Sequence, residues 1–455
     1  MTRSYNKSFI YFICLVSAMG GLLFGYDWVV IGGAKIFYEQ FFGITDNALL
    51  IGLATSIALA GCMLGALTAG SLADRYGRKP LLILSAFIFV ISSIGTGAFN
   101  VFGWFLTARF VGGIAIGMAS GLSPMYIAEA APSEIRGKLV TLNQLTIVIG
   151  ILAAQIVNWR IAGTHAEPWN LALGWRWMFW ATAIPAAAFL VLAFFIPESP
   201  RFHTLKQRYA LAEKTLTRIG GAAYAEEEIS RIKAAQAAEA AAEKGGLGLL
   251  LTRPFRKVLL LGIIIAFFQQ WCGTNVIFNY AQEIFAGAGY DVDNTFINIV
   301  ITGIANLIFT FVALFTVEKL GRRALELMGA VGLGGIYLIL GACYFFHVSG
   351  IFMVILCVLA IACYAMTLGP MTWVLISEIF PNRVRAVAVA TATLFLWIGS
   401  FTLTLSFPLL NGALGTSGTF WIYSGICFVA FFYFLKALPE TKGKSLEQLE
   451  KELIK

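Results

Sequence analysis

Apolar runs recur along nearly the whole of this 455-residue sequence, and each is long enough to cross a lipid bilayer. A transmembrane α-helix needs roughly 20 consecutive apolar residues. Only 12% of the residues are charged, against roughly 25% in soluble domains, so polar groups cannot cover a water-exposed surface. The sequence therefore predicts an all-α integral membrane protein whose partner is the lipid bilayer.

Twelve such runs fall into two sets of six, and a polar stretch separates the sets. The predicted spans are residues 9–34, 50–73, 80–100, 102–126, 138–160, 175–196, 256–285, 295–318, 323–347, 350–378, 386–410 and 416–437. The predicted regions are an N-terminal six-helix bundle at 1–196, a linker at 197–255, a C-terminal six-helix bundle at 256–437 and a tail at 438–455. No small-residue cleavage site follows the first run, so we expect a retained helix rather than a signal peptide.

Basic residues cluster in alternate loops, which is the positive-inside pattern. These residues are Arg75, Arg78, Lys79, Arg136, Lys138, Lys319, Arg322, Arg323, Arg383 and Arg385. The opposite loops hold acids instead, namely Glu39, Asp46, Glu167, Asp291 and Asp293. We therefore expect the basic loops, the linker, the tail and both termini to face the cytosol. This topology explains the net charge of +8 without a nucleic-acid partner.

The linker is rich in Ala, Glu and Lys and predicts short amphipathic helices interrupted at Gly220–Gly221. Two interpretations remain open for it. The linker is either a solvated connection or a set of helices that lies against the cytosolic ends of the spans and holds them together.

Neither the cysteines nor the histidines form a pattern of metal ligands or catalytic groups. All seven Cys lie inside apolar runs without CxxC spacing, and the three His lie in or beside loops. Such cysteines are typical of small buried hydrophobic residues. We therefore expect no metal, no cofactor and no enzymatic activity.

Three motifs of the first half recur in the second half: an acid–Gly–Arg loop, a Glu and an Arg seven positions apart, and a Pro–Glu motif. Their positions are 74–79 and 318–323, 129–136 and 378–385, and 197–201 and 439–443. The offsets are 244, 249 and 242 residues. A near-constant offset indicates an internal repeat, and two similar bundles around a shared cavity are typical of secondary transporters.

The repeated charges predict a network that holds the cytosolic side shut in one state and breaks in the other. The acids can accept hydrogen bonds from backbone donors at a helix N-terminus, and the bases can reach acids on other helices. Glu129 with Arg136 and Glu378 with Arg385 are natural partners, and the alternative is plain positive-inside anchoring. The predicted gating residues are Asp74, Arg75, Arg78, Glu129, Arg136, Glu198, Glu318, Arg322, Glu378, Arg385 and Glu440.

Asp27 is the clearest acid deep in an apolar run, and Arg109 lies at a similar depth in span 4. Both are roughly 10 Å beneath the outer surface at 1.5 Å per residue. Each alone would be costly in hydrocarbon, so we expect a pair. A carboxylate beside Arg stays ionised, and it can take a proton if the pair separates. This is the chemistry of a proton-coupling switch, and the alternative is a static structural ion pair.

Uncharged amides also lie within the apolar runs. Gln269, Gln270 and Asn275 are in span 7, Gln144 is in span 5 and Asn306 is in span 8. Amides carry donors and acceptors without charge, which suits the hydroxyl groups of a neutral polyol. The alternative is that they join neighbouring helices by hydrogen bonds.

Two tryptophans and three helix breaks complete the candidate transport features. Trp373 in span 10 and Trp397 in span 11 can offer flat apolar faces to a sugar ring. We expect breaks at Gly369–Pro370, Cys272–Gly273 and Gly32–Gly33, where they could act as gating hinges.

The sequence resembles the sugar porter family of the major facilitator superfamily over nearly its whole length. The motifs that carry the resemblance are Gly20–Asp27, Asp74–Lys79, Arg109–Gly113, Pro124–Glu129, Pro197–Arg201, Gln269–Asn275 and Pro439–Gly443. It is most similar to bacterial proton-coupled monosaccharide symporters of the xylose/proton type. Those symporters carry Asp where Asp27 stands, whereas the human glucose facilitators carry Asn there.

The resemblance implies roles for individual residues. Asp27 takes the proton, and Arg109 is its partner. The positions that match sugar-contacting residues are Gln144, Gln269, Gln270, Asn275, Asn306 and Trp373. The other implied substrate-binding and cavity-lining positions are Phe24, Ile147, Asn279, Gly369 and Trp397.

Four positions depart from the xylose/proton pattern. Ile151 and Leu396 each replace a Gln, and Asn279 stands where many members have Tyr. Thr182 stands where the xylose symporter has a Glu that is linked to its coupling. These departures leave open which sugar binds and how strict the coupling is.

We therefore hypothesise secondary active transport of a neutral monosaccharide by proton symport with alternating access. The substrate would be a hexose or pentose such as D-glucose or D-xylose, and the expected setting is a monomer in the inner membrane of a bacterium. The alternatives are a sugar uniporter, a transporter-like sugar sensor, and a transporter of drugs or organic anions. The uncharged amides argue against the last of these.

Overall fold

The computed structural model describes residues 5–241, 247–381, 384–442, 444 and 448–449. Within these residues the protein is all-helical and has no β-strand, which confirms the predicted fold class. The helices are α1 (Lys7–Phe42), α2 (Ala48–Tyr76), α3 (Arg78–Ala98), α4 (Phe102–Ala130), α5 (Arg136–Thr164), α6 (Glu167–Trp169), α7 (Trp175–Ala193), α8 (Pro200–Leu205), α9 (Tyr209–Gly220), α10 (Ala222–Ala241), α11 (Leu247–Leu250), α12 (Arg253–Trp271), α13 (Thr274–Asn279), α14 (Ala281–Gly287), α15 (Val292–Leu320), α16 (Arg322–Phe345), α17 (Ile351–Met366), α18 (Leu368–Glu378) and α19 (Arg385–Ala437). A π-helical segment, Asn170–Gly174, joins α6 to α7.

Eleven helical segments within the described residues are long and apolar enough to cross a membrane. The last of them, Val387–Ala437, has 51 residues, which is about twice the length that a bilayer requires. Gly415 interrupts this segment with a φ of 69°, so two helices meet there. Counted this way, the described part of the chain has twelve apolar helices long enough to cross a membrane, as the sequence predicts.

Two glycines precede the helices that follow the acid–Gly–Arg loops. Gly77 and Gly321 have φ angles of 102° and 88°, a region that only glycine adopts without strain. A Cβ on Gly77 would also overlap the carboxylate of Glu198, and a Cβ on Gly321 would meet that of Glu440. These glycines let each carboxylate reach the first N–H groups of α3 and α16.

Two of the three predicted helix breaks are present. Gly273 is left-handed, with a φ of 88°, and separates α12 from α13. Thr367 is non-helical and separates α17 from α18, because the ring of Pro370 clashes with a helical carbonyl four residues earlier. The prediction at Gly32–Gly33 is wrong, since α1 continues unbroken through both residues. Their missing Cβ atoms permit close packing instead.

The linker helices pack against the first half of the protein. The Tyr126 hydroxyl donates to the Pro197 carbonyl at 2.7 Å, and the Asn6 N–H donates to the Ile219 carbonyl at 2.9 Å. Gly221, with a φ of 87°, separates α9 from α10 where the sequence predicts an interruption. This packing favours helices that lie against the spans over a purely solvated connection.

The internal contacts of the chain divide it into two compact units, each made of separate stretches of sequence. One unit contains Met1–Asp27, Gly61–Ile151 and Phe179–Lys244, and the other contains Trp28–Ala60, Leu152–Met178 and Gly245–Lys455. The second unit therefore includes one end of α1, of α2 and of α5 together with the second set of spans. These units have other bounds than the predicted regions 1–196, 197–255, 256–437 and 438–455, which remain predictions.

Candidate functional site

Asp27 of α1 and Arg109 of α4 form a buried ion pair. Arg109 Nη1 donates to Asp27 Oδ1 at 2.6 Å, and the two side chains are 5% and 10% exposed. The guanidinium also lies over the ring of Phe179, 5.4 Å from its centre. The structure thus brings together the two residues expected to pair. Removing either charge would leave the other buried without a partner, at a cost of about 3–5 kcal/mol.

α1 and α5 cross at Gly25, two residues before Asp27, and their backbones are in contact there. A Cβ on Gly25 would overlap the carbonyl of Ile147. Glycine permits this approach between membrane helices because it has no side chain to separate them. The crossing places Phe24 and Gln144 on neighbouring turns of the two helices, where both are half-buried, as is Ile147.

Three buried amides of the second unit form a hydrogen-bonded chain. Gln269 Nε2 donates to the Tyr364 hydroxyl at 2.6 Å, and Gln270 Nε2 donates to Gln269 Oε1. Asn275 Nδ2 donates to Gln270 Oε1. Each amide residue is at most 6% exposed. The left-handed Gly273 turns the chain between Gln270 and Asn275, so the break is what allows their side chains to meet.

The remaining predicted substrate positions of this unit differ in exposure. Asn279 and Asn306 are buried, and Asn279 Oδ1 has no hydrogen-bond partner within the described part of the chain. Trp397 is 2% exposed, whereas Trp373 is 42% exposed. Gly369 is the second residue of α18. A free amide oxygen and an exposed indole face are both groups that a polyol can contact.

The acid–Gly–Arg loop of the first half forms a compact charge network. Arg78 Nη2 lies 2.9 Å from Glu129 Oε1 on α4 and 3.1 Å from Asp74 Oδ1. The Arg78 and Glu129 side chains are 6% and 7% exposed. The second Glu129 oxygen accepts a hydrogen bond from the Ser199 hydroxyl. Both oxygens of this buried carboxylate are therefore satisfied.

The second half repeats this arrangement with looser geometry. Arg322 Nη2 lies 3.4 Å from Glu378 Oε1, and the two side chains are 12% and 27% exposed. Lys442 Nζ donates to the Lys319 carbonyl at 2.9 Å. The backbone of Glu318 continues α15, but its side chain lies outside the described residues.

Glu198 and Glu440 occupy equivalent places at the starts of α3 and α16. Glu198 accepts from the first two N–H groups of α3 at 3.0 and 3.2 Å, and Glu440 accepts from those of α16 at 2.9 and 3.2 Å. Burial raises the pKa of Glu198 above its usual value, despite these bonds. Burial also opposes ionisation of Glu440, but surrounding backbone N–H groups outweigh it and lower its pKa.

Some predicted gating residues bind groups other than those expected. Arg136 donates to the Ala131 carbonyl at 3.4 Å, so the predicted pairing of Glu129 with Arg136 is wrong. The reason is that Arg136 begins α5 and its guanidinium turns back onto the preceding loop. Arg385 likewise donates to the carbonyl of residue 380 at 3.0 Å. Arg75 is exposed and lies beside the ring of residue 76.

One charged cluster was missed by the sequence prediction. Glu39, predicted in a loop, is 8% exposed and lies within α1. It pairs with Lys35, one turn earlier, and Lys35 also pairs with Glu283 of α14. The four-residue spacing of Lys35 and Glu39 was the available sequence signal.

Glu326 of α16 was also missed. It is fully buried, and Thr372 of α18 donates to its Oε1 at 3.3 Å. Its Oε2 has no partner among the residues that the structure describes. An acid three residues after the basic loop gave the sequence no distinct pattern, because its burial depends on how α16 packs against other helices.

The described residues contain no group of three or more His, Cys, Asp or Glu side chains that could hold a metal ion. All seven cysteines are free thiols, and six of them are buried. The polar groups of the site are therefore amides, hydroxyls and the charged pairs given above.

Comparisons with known proteins agree with this geometry. The sequence profile of the family described as "Sugar (and other) transporter" matches residues 13–453. The arabinose-proton symporter of Bacillus subtilis (strain 168) is 36% identical over 100% of this chain and 97% of its own length. The D-xylose-proton symporter of Escherichia coli (strain K12) is 36% identical over 99% of this chain and 97% of its own length.

Solved structures of the E. coli xylose transporter have the same fold. A partially occluded inward-open conformation matches with a TM-score of 0.87 and 34% identity, over 96% of this chain and 100% of that chain. The major facilitator superfamily proton:xylose symporter bound to 6-bromo-6-deoxy-D-glucose matches with a TM-score of 0.82 and 36% identity, over 99% and 100%. The chain therefore belongs to the sugar transporter family and has the major facilitator fold.

Proposed function

We propose that the protein carries a neutral monosaccharide together with a proton across the inner membrane of a bacterium by alternating access. The observation that carries this proposal is that one membrane-spanning chain buries both an uncharged amide chain and an isolated acid–arginine pair. Relatives named arabinose-proton and D-xylose-proton symporters support it.

The amide chain supplies the groups that a dehydrated sugar needs. A sugar that leaves water must exchange hydrogen bonds to water for bonds to the protein, since an unmade buried hydrogen bond costs about 1–3 kcal/mol. Gln269, Gln270 and Asn275 satisfy one another and Tyr364 in the structure. We propose that sugar hydroxyl groups replace these mutual bonds when the substrate binds.

The ion pair supplies the coupling. A proton that binds the Asp27 carboxylate removes its negative charge and thereby ends the attraction to Arg109. The ring of Phe179 under the guanidinium gives the released cation a neighbour worth about 0.5–2 kcal/mol. Proton binding thus weakens one contact of the present state, so the bundles can rearrange once sugar is bound.

The basic loops assign the topology. Because Lys and Arg favour the cytosolic side, we place the two acid–Gly–Arg networks, the linker, the tail and both termini in the cytosol. The networks then act as the cytosolic gate, and residues 1–196 and 256–437 are the two proposed bundles. A single chain contains every group that this scheme uses, and we propose that it works as a monomer.

The substrate is a pentose or a hexose. Ile151 and Leu396, which stand where the xylose/proton pattern has Gln, are 8% and 2% exposed. Two apolar side chains in these places give the site fewer hydrogen-bonding groups. We therefore propose a preference among sugars that differs from that of the xylose symporter.

Counterflow in proteoliposomes against a panel of pentoses and hexoses tests the proposed site. Replacing Gln270 and Asn275 together with Leu should slow exchange of the preferred sugar by at least about tenfold, because two hydrogen-bonding groups are lost. Gln40→Leu, which alters an exposed amide of α1, is the matched control. Exchange of every sugar at the normal rate in the double variant would contradict the proposed site.

A further inference from the structure

Three charged side chains meet near the end of α1, and the transport roles given above use none of them. Lys35 is 3% exposed, and its Nζ lies 2.7 Å from Glu39 Oε1 on the same helix. The ammonium also pairs with Glu283 of α14 and lies 5.1 Å from the ring centre of Tyr280. We name Lys35, Glu39 and Glu283 the α1–α14 ion cluster.

Uncharged groups also hold α1 against α14 and the helix before it, α13. Gln282 Nε2 donates to the Gly33 carbonyl at 3.0 Å, and Gln282 Oε1 accepts from the Ile36 N–H at 3.2 Å. A Cβ on Gly32 would lie 2.7 Å from the carbonyl oxygen of Phe278, which belongs to α13, the helix before α14. α1 is therefore in close contact with both the end of α13 and the start of α14.

The two acids of the cluster stand in different relations to Lys35. Glu39 is one turn away on the same helix, so it stays within reach of Lys35 whatever α14 does. Glu283 belongs to α14, and its side chain is 35% exposed, against 10% for that of Glu39. Glu283 can therefore leave into water, whereas Glu39 is the permanent counter-ion of a buried lysine.

We propose that the α1–α14 ion cluster is a latch on the outer mouth of the transport path. The mouth is closed when Lys35 binds both acids, and it opens when Glu283 leaves and Glu39 alone neutralises Lys35. This inference rests on the proposed function, which places this end of α1 outside the cell. The three side chains are positioning residues, because they act on the mouth and not on the sugar.

The latch makes opposite predictions for its two acids. Glu283→Gln removes an attraction that exists only in the closed state, so the mouth should open more often. Glu39→Gln removes the counter-ion that Lys35 needs in the open state, so the mouth should open less often. A cluster that only stabilises the fold would give changes of the same sign for both variants.

The experiment measures how fast a membrane-impermeant maleimide modifies a cysteine introduced as Ala281→Cys in the full chain in proteoliposomes. Ala281 is the first residue of α14 and is 2% exposed, and the protein without this substitution gives the background from the native thiols. We expect Glu283→Gln to raise the rate at least about tenfold and Glu39→Gln to lower it by a similar factor. Exchanging the charges, with Lys35→Glu and Glu283→Lys, restores the attraction between the helices, so the rate should fall below that of Glu283→Gln.

Glu167→Gln, which alters an exposed acid, is the matched control and should leave the rate unchanged. Rates that move in the same direction for Glu283→Gln and Glu39→Gln, or that do not move, overturn the latch. The labelling needs no sugar, so its outcome is independent of transport. Absence of sugar counterflow by the unmodified protein would instead overturn the proposed function.

Discussion

The two acid–Gly–Arg networks share a backbone arrangement but differ in how deeply their charges are buried. In both, a glycine of positive φ precedes a helix whose first N–H groups are bound by a glutamate, either Glu198 or Glu440. In both, the second base after the glycine donates to a backbone carbonyl at 2.8 Å, from Lys79 in one copy and from Arg323 in the other. The repeat therefore preserves backbone contacts most closely.

The charge pairs are not preserved to the same degree. Arg78 and Glu129 are 2.9 Å apart and almost fully buried, whereas Arg322 and Glu378 are 3.4 Å apart and partly exposed. Water screens an exposed pair and leaves it weak, while a buried pair is costly to break. The difference teaches that the ion pair of the first copy contributes more to stability, and that the ion pair of the second copy is the weaker of the two.

Removing the arginines should give the largest difference between the two networks in the free energy of unfolding that is lost. Arg78→Ala leaves Glu129 buried without its cation and should lower the free energy of unfolding by about 3–5 kcal/mol. Arg322→Ala should lower it by only about 1 kcal/mol, because Glu378 is reached by water. Thermal unfolding of the purified protein in detergent measures both. Equal losses would mean that the two networks carry equal energy.

Neutralising the acids should give a smaller difference between the two networks in the free energy of unfolding that is lost. Glu129→Gln loses a charged hydrogen bond to Arg78 and should cost about 1.5–3 kcal/mol. Glu378→Gln should cost less than about 0.5 kcal/mol, since its contact with Arg322 is 3.4 Å long and its side chain is 27% exposed. The same unfolding assay applies, and a larger loss for Glu378→Gln would reverse the comparison.

The helix-capping acids should differ only in how their contributions depend on pH, which is the smallest effect. The pKa of Glu198 is raised above its ordinary value of 4.5, so its contribution is present at low pH and is lost as pH rises through the folded-state pKa. The pKa of Glu440 is lowered, so its contribution is present above 4.5 and is lost as pH falls.

Unfolding of Glu198→Gln and Glu440→Gln beside the unmodified protein, from pH 7 to pH 4, checks these signs. As pH falls, the unmodified protein should gain stability relative to Glu198→Gln and lose stability relative to Glu440→Gln. Parallel pH profiles for the two variants would show that the caps are equivalent in both halves.

The sequence was sufficient for features that depend on composition and local spacing. The twelve spans follow from apolar run length, and the expected pairing of Asp27 with Arg109 follows from the cost of one charge in hydrocarbon. The break at Cys272–Gly273 was predicted because glycine loosens a helix. The hydrogen bond between Gln270 and Asn275 could not be predicted, because it depends on the path of the chain after the break.

Features that depend on contacts between distant segments could not be predicted. Glu39 was assigned to a loop because a charge normally ends an apolar run, but Lys35 and the distant Glu283 neutralise it within α1. Glu326 gave no signal because its burial and its hydrogen bond to Thr372 depend on how α16 packs against distant helices. Arg136 has the spacing of a partner for Glu129, yet a nearby carbonyl is closer to its guanidinium.

The most direct test of proton coupling is sugar accumulation by Asp27→Asn in proteoliposomes with an imposed proton gradient. The asparagine keeps the size of the side chain but cannot carry the proton, so the variant should exchange sugar in counterflow while failing to concentrate it. Sugar addition should make a weakly buffered medium alkaline with the unmodified protein and leave it unchanged with the variant. Accumulation of sugar by Asp27→Asn to the level of the unmodified protein would contradict the account.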